Sequence, residues 1–143
     1  MKGFKFRLES VLDVKTTELR HVQKEHASAQ QAVLEARQEL EALTRERDAY
    51  ARSLNQLQEQ EAGDWQLRWD YLHHLNLQLQ GLQEQLLQLE QKREEVRQKL
   101  VKIRREQKVL ENLKQRAREK FLEESRRNEQ KAIDELAVLS VQR

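Results

Sequence analysis

The apolar residues in the first half of the chain recur every three or four positions in one unbroken register. Starting at Leu8 and stepping by four and three in turn reaches fifteen positions, of which twelve are apolar. This spacing of 3.5 residues is typical of the narrow contact line, or seam, of a left-handed coiled coil. The seam positions are Leu8, Leu12, Lys15, Leu19, Val22, His26, Ala29, Val33, Ala36, Leu40, Leu43, Arg47, Tyr50, Leu54 and Leu57.

The second half repeats the pattern from Leu72 onwards, with ten apolar residues among twelve seam positions. Beyond Leu110 the register becomes ambiguous. Leu113 and Ala117 are the apolar candidates there, whereas the strict step reaches Lys114. The sequence therefore predicts a stutter in this region. The seam positions are Leu72, Leu75, Leu79, Leu82, Leu86, Leu89, Arg93, Val96, Leu100, Ile103, Gln107 and Leu110.

One strong break separates the two halves, the segment Glu-Ala-Gly-Asp-Trp at residues 61–65. Gly63 suits the residue that ends a helix, and Asp64 can cap the next helix. We therefore predict a single all-α coiled-coil unit over residues 1–143, a long antiparallel two-helix hairpin. Its first helix is expected over about residues 8–61 and its turn over about 62–64. The second helix, over about 65–138, is expected to be the longer one.

Antiparallel pairing about this turn places each polar seam residue opposite an apolar one. A long polar side chain can then extend past its apolar neighbour into solvent. This supports the register, although a shift by one heptad stays open. The predicted pairs are Arg47 with Leu79, Arg93 with Val33, Lys15 with Leu110, and His26 near Leu100.

Because the second helix is longer, the segment from Phe121 to Arg143 is expected to lack a partner within the hairpin. It still contains apolar residues, among them Leu122, Ile133 and Leu136. Apolar residues without an internal partner favour an external one. A weakly ordered tail is the alternative interpretation.

Composition supports a helical protein and limits its function. The chain has no proline and no cysteine, and 36% of its residues are charged. Proline is a common turn residue and breaks helices, so its absence suits long helices. The start of the chain has no apolar run long enough for a signal peptide, and no stretch has the length of a membrane span. We therefore expect a cytoplasmic protein.

The charge is unevenly distributed along the chain. Residues 92–131 carry 15 Lys and Arg against 8 Asp and Glu, although the net charge of the whole chain is only +2. Nucleic acid is one partner for such a segment. However, the acidic residues are interleaved and Phe121 is its only aromatic residue, whereas single-strand binders stack bases on several rings. The pattern favours an acidic protein partner or a solvated helix over nucleic acid. We therefore expect no nucleic-acid partner.

The sequence contains no set of residues typical of an active site. It has no phosphate-binding glycine loop and no H-E-x-x-H motif. His21 and Glu25 share a helical face, but a stable metal site needs three or four ligands. We expect no enzyme activity, no cofactor, no metal and no small-molecule substrate.

Aromatic residues are concentrated directly after the predicted turn, where Trp65, Trp69 and Tyr71 lie within seven residues. Trp69, His73 and Gln80 lie on one face of the predicted helix, away from the seam. Exposed aromatic residues are common in binding hot spots. Alternatively, the rings fold over the turn and close it, and Trp65 is the best candidate for that role.

Two segments of the chain resemble a known family. Residues 4–12, Phe-Lys-Phe-Arg-Leu-Glu-Ser-Val-Leu, resemble the F-x-F-R-L-x-x-V-L start of the flagellar export protein FliJ family. Residues 129–137, Glu-Gln-Lys-Ala-Ile-Asp-Glu-Leu-Ala, are similar to the family's C-terminal E-x-K-x-L-D-E-L-A pattern, with Ile133 where leucine is common. The length and the turn in the middle of the chain also fit, so the resemblance covers essentially the whole chain.

The resemblance implies a component of the flagellar type III export apparatus that is similar to the gamma subunit of rotary ATPases. Its partners would be the hexameric export ATPase, the cytoplasmic domain of the export gate, and export chaperones. It would be a monomer in isolation and associate peripherally with the inner membrane at the flagellar base. The expected ATPase-binding residues, here called the terminal surface, are Phe4, Phe6, Arg7, Leu8, Val11, Leu113, Phe121, Ile133 and Leu136.

The expected gate contact rests on exposure, and no family motif supports it. We call it the post-turn surface, and it consists of Trp69, Leu72, His73, Leu77 and Gln80.

Two rival functions stay open from the sequence, a stalk protein of an injectisome secretion system and a purely structural coiled-coil spacer.

Overall fold

The computed structural model describes residues 3–56 and 64–142. It contains two helices, α1 over Glu9–Asn55 and α2 over Trp65–Val141, and no strand among these residues. The prediction of an all-α fold with a longer second helix is confirmed. α1 begins next to the predicted start, α2 begins directly after Asp64, and α2 extends past the predicted residue 138. The predicted turn at residues 62–63 and the last predicted turn of the first helix lie outside the described residues.

The chain divides into two compact units. Unit 1 comprises the described residues of Met1–His21 and Val101–Arg143, and unit 2 comprises those of Val22–Leu100. In each unit a segment of α1 packs antiparallel against a segment of α2. The cross-helix contacts show the direction in unit 2, where Arg37 pairs with Glu90 and Arg47 with Asn76.

The buried residues of the described chain are all hydrophobic and all lie on the predicted seam. The spacing of 3.5 residues keeps one line of side chains facing the other helix along each segment. Burying each of the leucine, valine and isoleucine side chains among them stabilises the fold by about 1.5–3 kcal/mol. They are Leu12, Val22, Ala29, Val33, Ala36, Leu54, Leu72, Leu75, Leu79, Val96, Leu100 and Ile103.

Polar groups beside the seam make local hydrogen bonds. The Thr16 hydroxyl donates to the Leu12 carbonyl at 3.0 Å, and the Thr44 hydroxyl donates to the Leu40 carbonyl at 2.7 Å. Each hydroxyl is half-buried and would lose hydration without such a partner. Arg47, a polar seam residue, extends outward to Asn76 and to the carboxylate of Asp48, as its long side chain allows.

The stutter expected near residues 110–120 is not found. Half-buried residues continue on the strict step through Leu110, Lys114, Ala117 and Phe121, whereas Leu113 is exposed. Lys114 is accommodated because its Nζ lies 2.9 Å from the Glu9 carboxylate on the facing segment. The ion pair satisfies the charge while the aliphatic part of the lysine covers the seam.

Candidate functional site

The terminal surface lies entirely in unit 1, on the N-terminal segment and on α2. Phe4, Phe6 and Leu8 are half-buried, and Val11 is exposed beside the seam. The Phe4 and Phe121 rings lie 5.7 Å apart, centroid to centroid, at an interplanar angle of 48°. The expectation that Phe121 has no partner within the hairpin was therefore wrong. The non-helical residues before α1 bring Phe4 onto α2.

The remaining residues of the terminal surface lie farther along α2. Ile133 and Leu136 are 58% and 67% exposed. Every described residue from position 126 to 142 is exposed, so no part of α1 covers this segment. Ala132, Ile133, Leu136 and Leu139 project to one side of the helix because they recur at intervals of three and four residues. The structure thus leaves an apolar face of this helix segment uncovered.

Polar contacts hold the two segments of unit 1 together. The Lys15 ammonium lies 2.6 Å from the Glu106 carboxylate and 3.4 Å from that of Glu18. Gln107 donates to the Thr16 hydroxyl at 3.0 Å. The charged end of Lys15 reaches Glu106, where it gains an ionic partner. These contacts help to position the terminal surface, because they hold α1 against α2 directly after residues 4–11, the N-terminal part of that surface.

The Lys15–Glu106 pair predicts a pH-dependent contribution to stability. The hydrogen bond from Lys15 lowers the pKa of Glu106, and the same bond raises the pKa of Lys15. A lowered carboxyl pKa stabilises the fold above the unfolded value of about 4.3, and this contribution disappears as the pH falls through the folded pKa. A raised lysine pKa stabilises it below about 10.4, and this contribution disappears as the pH rises through the folded pKa.

We expect Glu106→Gln to lower the melting temperature by no more than about 2 °C at pH 7, because an exposed ion pair is weak. The difference from the unsubstituted protein should shrink as the pH is lowered towards about 2, because Glu106 becomes protonated as the pH falls through its folded pKa. Thermal unfolding followed by circular dichroism at both pH values measures this. Glu111→Gln is the matched control, since Glu111 has no ion pair among the described residues. An undiminished difference at pH 2 would contradict the assignment.

Four of the five residues of the post-turn surface are exposed, and one is buried. Trp69 is 46% exposed, and His73, Leu77 and Gln80 are exposed as well. Leu72 is buried on the seam and is therefore not available to a partner in this structure. The sequence analysis had also placed Leu72 on the seam, and the helical period turns it towards α1, as that assignment requires.

The aromatic residues after the turn divide between two roles. The Tyr71 ring packs edge-on against Tyr50 at 4.8 Å, and the Tyr71 hydroxyl donates to Glu46 at 3.4 Å. Tyr71 thus connects α2 to α1 within unit 2 through a ring contact and a hydrogen bond. Trp65 and Trp69 contact each other edge-on at 6.0 Å, and both remain exposed. The tryptophan pair is an apolar element exposed on the surface.

Sequence reasoning missed a groove between the two helices in unit 2, lined by Glu39, Ala42, Leu43, Glu46, Gly81 and Leu82. The signal that could have identified it is a glycine in the middle of a long helix. Glycine destabilises a helix interior relative to alanine, so it calls for an explanation.

Comparison with protein families identifies the chain. The family model described as "Flagellar FliJ protein" matches residues 4–143. The chain belongs to the FliJ family. It is therefore a component of the flagellar type III export apparatus, as its terminal motifs suggested. No curated protein and no solved structure matches it significantly.

The FliJ family match favours the flagellar system over the injectisome alternative. Among the described residues, neither helix is long and apolar enough to cross a membrane. The same part of the chain contains no group of three or more His, Cys, Asp or Glu side chains that could hold a metal ion.

Proposed function

We propose that this FliJ protein binds the hexameric flagellar export ATPase through its terminal surface and promotes assembly or activity of the hexamer, as a central stalk does. The uncovered apolar face around Ile133 and Leu136 carries this proposal. Exposed apolar faces of this kind bind partners in most proteins that keep them. Because Phe4, Phe6 and Leu8 lie in the same unit, the N-terminal residues and α2 can contribute to one interface.

The charge of α2 supports a protein partner with an acidic surface. The excess of basic residues between positions 92 and 131 attracts such a surface and speeds the encounter. A single hairpin inside a ring contacts several subunits at once, and one chain per hexamer is the expected stoichiometry. We further propose that the protein has no chemistry of its own and takes no cofactor, nucleic acid or small-molecule substrate.

We also propose two further partners and a location. The exposed residues of the post-turn surface bind the cytoplasmic domain of the export gate, and the protein escorts export chaperones between cargoes. It acts in the cytoplasm, peripherally associated with the inner membrane at the flagellar base. Trp69 is the expected centre of the gate contact, since exposed tryptophan is enriched in binding hot spots.

The central proposal is tested by mixing the full-length chain with the purified export ATPase. We expect co-sedimentation with the hexamer, a larger hexamer fraction, and faster ATP hydrolysis. The chain alone should sediment as a monomer of 17.2 kDa. A stable dimer that neither binds the ATPase nor changes its hydrolysis rate would contradict the proposal and favour a structural spacer.

Replacing Trp69 by alanine is expected to weaken binding to the gate domain at least tenfold, because a hot-spot tryptophan contributes about 2 kcal/mol or more. Isothermal titration calorimetry with the purified gate domain measures the effect. Leu67→Ala is the matched control. Leu67 is more exposed than Trp69 but projects from nearly the opposite side of α2. Equal weakening by both substitutions would disprove a contact centred on Trp69.

A further inference from the structure

The groove in unit 2 that surrounds Gly81, here called the Gly81 groove, is a surface feature that the proposed function does not use. Ala42 and Leu43 of α1 and Gly81 and Leu82 of α2 form its apolar floor. It lies beside the seam, whereas Trp69, His73 and Leu77 of the post-turn surface do not line it. An inference about this groove therefore does not depend on the ATPase or gate proposals.

Gly81 has no explanation within the chain. Its φ is not positive, and a Cβ atom added to it would meet nothing within 4 Å. Neither backbone conformation nor packing against α1 therefore requires glycine. In the middle of a helix, glycine is less favourable than alanine. A residue without a side chain does allow another molecule to approach the helix backbone closely.

The charged groups of the groove are all acidic, which favours a basic partner. Glu39 and Glu46 line it from α1, one heptad apart, which is roughly 10 Å along the helix axis. No lysine or arginine is among the lining residues. Within the described residues Glu39 has no ion pair, and Glu46 accepts only the Tyr71 hydroxyl at 3.4 Å. Across the groove both carboxylates face the uncharged Gln78 and Gln85 of α2.

We propose that the Gly81 groove binds an amphipathic α-helix of a partner protein, with two basic residues one heptad apart beside a large aliphatic residue. The aliphatic side chain fills the space above Gly81 and Ala42. The basic residues pair with Glu39 and Glu46, whose spacing they share. Small residues on the floor let the third helix pack at the usual interaxial distance of about 8–10 Å. The result is a local three-helix bundle.

The probe is a synthetic helical peptide of about 21 residues, with two lysines seven positions apart flanking a leucine pair, labelled with fluorescein. Fluorescence anisotropy with the full-length protein measures binding. We expect a Kd on the order of 10–100 µM. The double substitution Glu39→Lys/Glu46→Lys should weaken binding at least tenfold. A peptide with glutamates in place of the lysines should restore binding to that variant.

Two variants separate the groove from general charge and folding effects. Glu41→Lys/Glu84→Lys changes the net charge equally, away from the groove, and should leave the affinity within twofold. A Cβ atom at Gly81 meets nothing within 4 Å, and leucine favours the helix over glycine, so Gly81→Leu should keep the helical circular dichroism spectrum while it fills the groove and lowers binding at least fivefold. Equal weakening by both charge reversals would overturn the proposal, as would unchanged binding to Gly81→Leu. Concentration-dependent dimerisation abolished by Gly81→Leu would assign the groove to a second copy instead.

Discussion

Replacing Leu75 by alanine is expected to lower the free energy of unfolding by about 3 kcal/mol, the largest stability effect of a single truncation that we predict. Leu75 lies on the seam of unit 2 and is only 2% exposed. The substitution removes buried methyl groups and leaves a cavity, which together cost about 2–5 kcal/mol for buried leucine. The hairpin has only one layer of contact, so few neighbouring side chains can move to fill the space. Urea unfolding followed by circular dichroism measures the loss.

Leu77→Ala is the matched control for this prediction. It makes the same chemical change two residues farther along α2, at a side chain that is 53% exposed. Its effect should stay within about 0.5 kcal/mol, because substitutions on the surface rarely exceed that. A similar loss for both variants would mean that Leu75 does not belong to the buried seam.

The fold could be predicted from sequence because a two-helix hairpin depends on one periodic signal. A residue such as Val33, 1% exposed, is buried because it lies at a multiple of 3.5 residues from its neighbours on the seam. No proline interrupts either helix, so the period runs through long segments without being reset. A globular domain of the same length would have required several turns and contacts between elements distant in sequence.

The register near Lys114 could not be predicted, because periodicity weighs only the apolar character of each residue. Leu113 and Ala117 were the candidates on that ground, yet Lys114 and Ala117 are half-buried and Leu113 is exposed. What decides between them is Glu9, a residue distant in sequence that offers the lysine an ionic partner. The same limit applies to Phe121, whose partner Phe4 lies before α1, where no helical period can place it.

Most residues of the candidate sites could be named from the sequence, but which of them are exposed could not be predicted in every case. Trp69 and Leu136 were recognised as apolar residues off the seam, and both are exposed. Leu72 was assigned both to the seam and to the post-turn surface, and its burial supports only the seam assignment. The Gly81 groove depends on which residues of α1 and α2 lie opposite each other, so it required the structure.

Replacing Leu136 or Phe6 by alanine is expected to weaken binding to the export ATPase at least tenfold, if the terminal surface acts as we propose. Leu136 belongs to the uncovered apolar face of α2, where truncation removes partner contacts and no internal ones. Its variant should therefore keep the melting temperature of the parent. Phe6 is half-buried, so its variant needs a thermal scan beside the binding measurement. Surface plasmon resonance on the immobilised hexamer gives the affinities.

Val138→Ala and Trp69→Ala test whether the effect belongs to this face. Val138 is 57% exposed but projects from nearly the opposite side of the helix to Leu136. Trp69 belongs to unit 2 and to the proposed gate contact. Both variants should bind the ATPase within twofold of the parent, because a helix docked by one face leaves its far side in solvent. Equal weakening by Leu136→Ala and Val138→Ala would mean that the segment inserts with its whole circumference buried. If Trp69→Ala weakened ATPase binding as much as Leu136→Ala does, the ATPase contact would not be confined to the terminal surface.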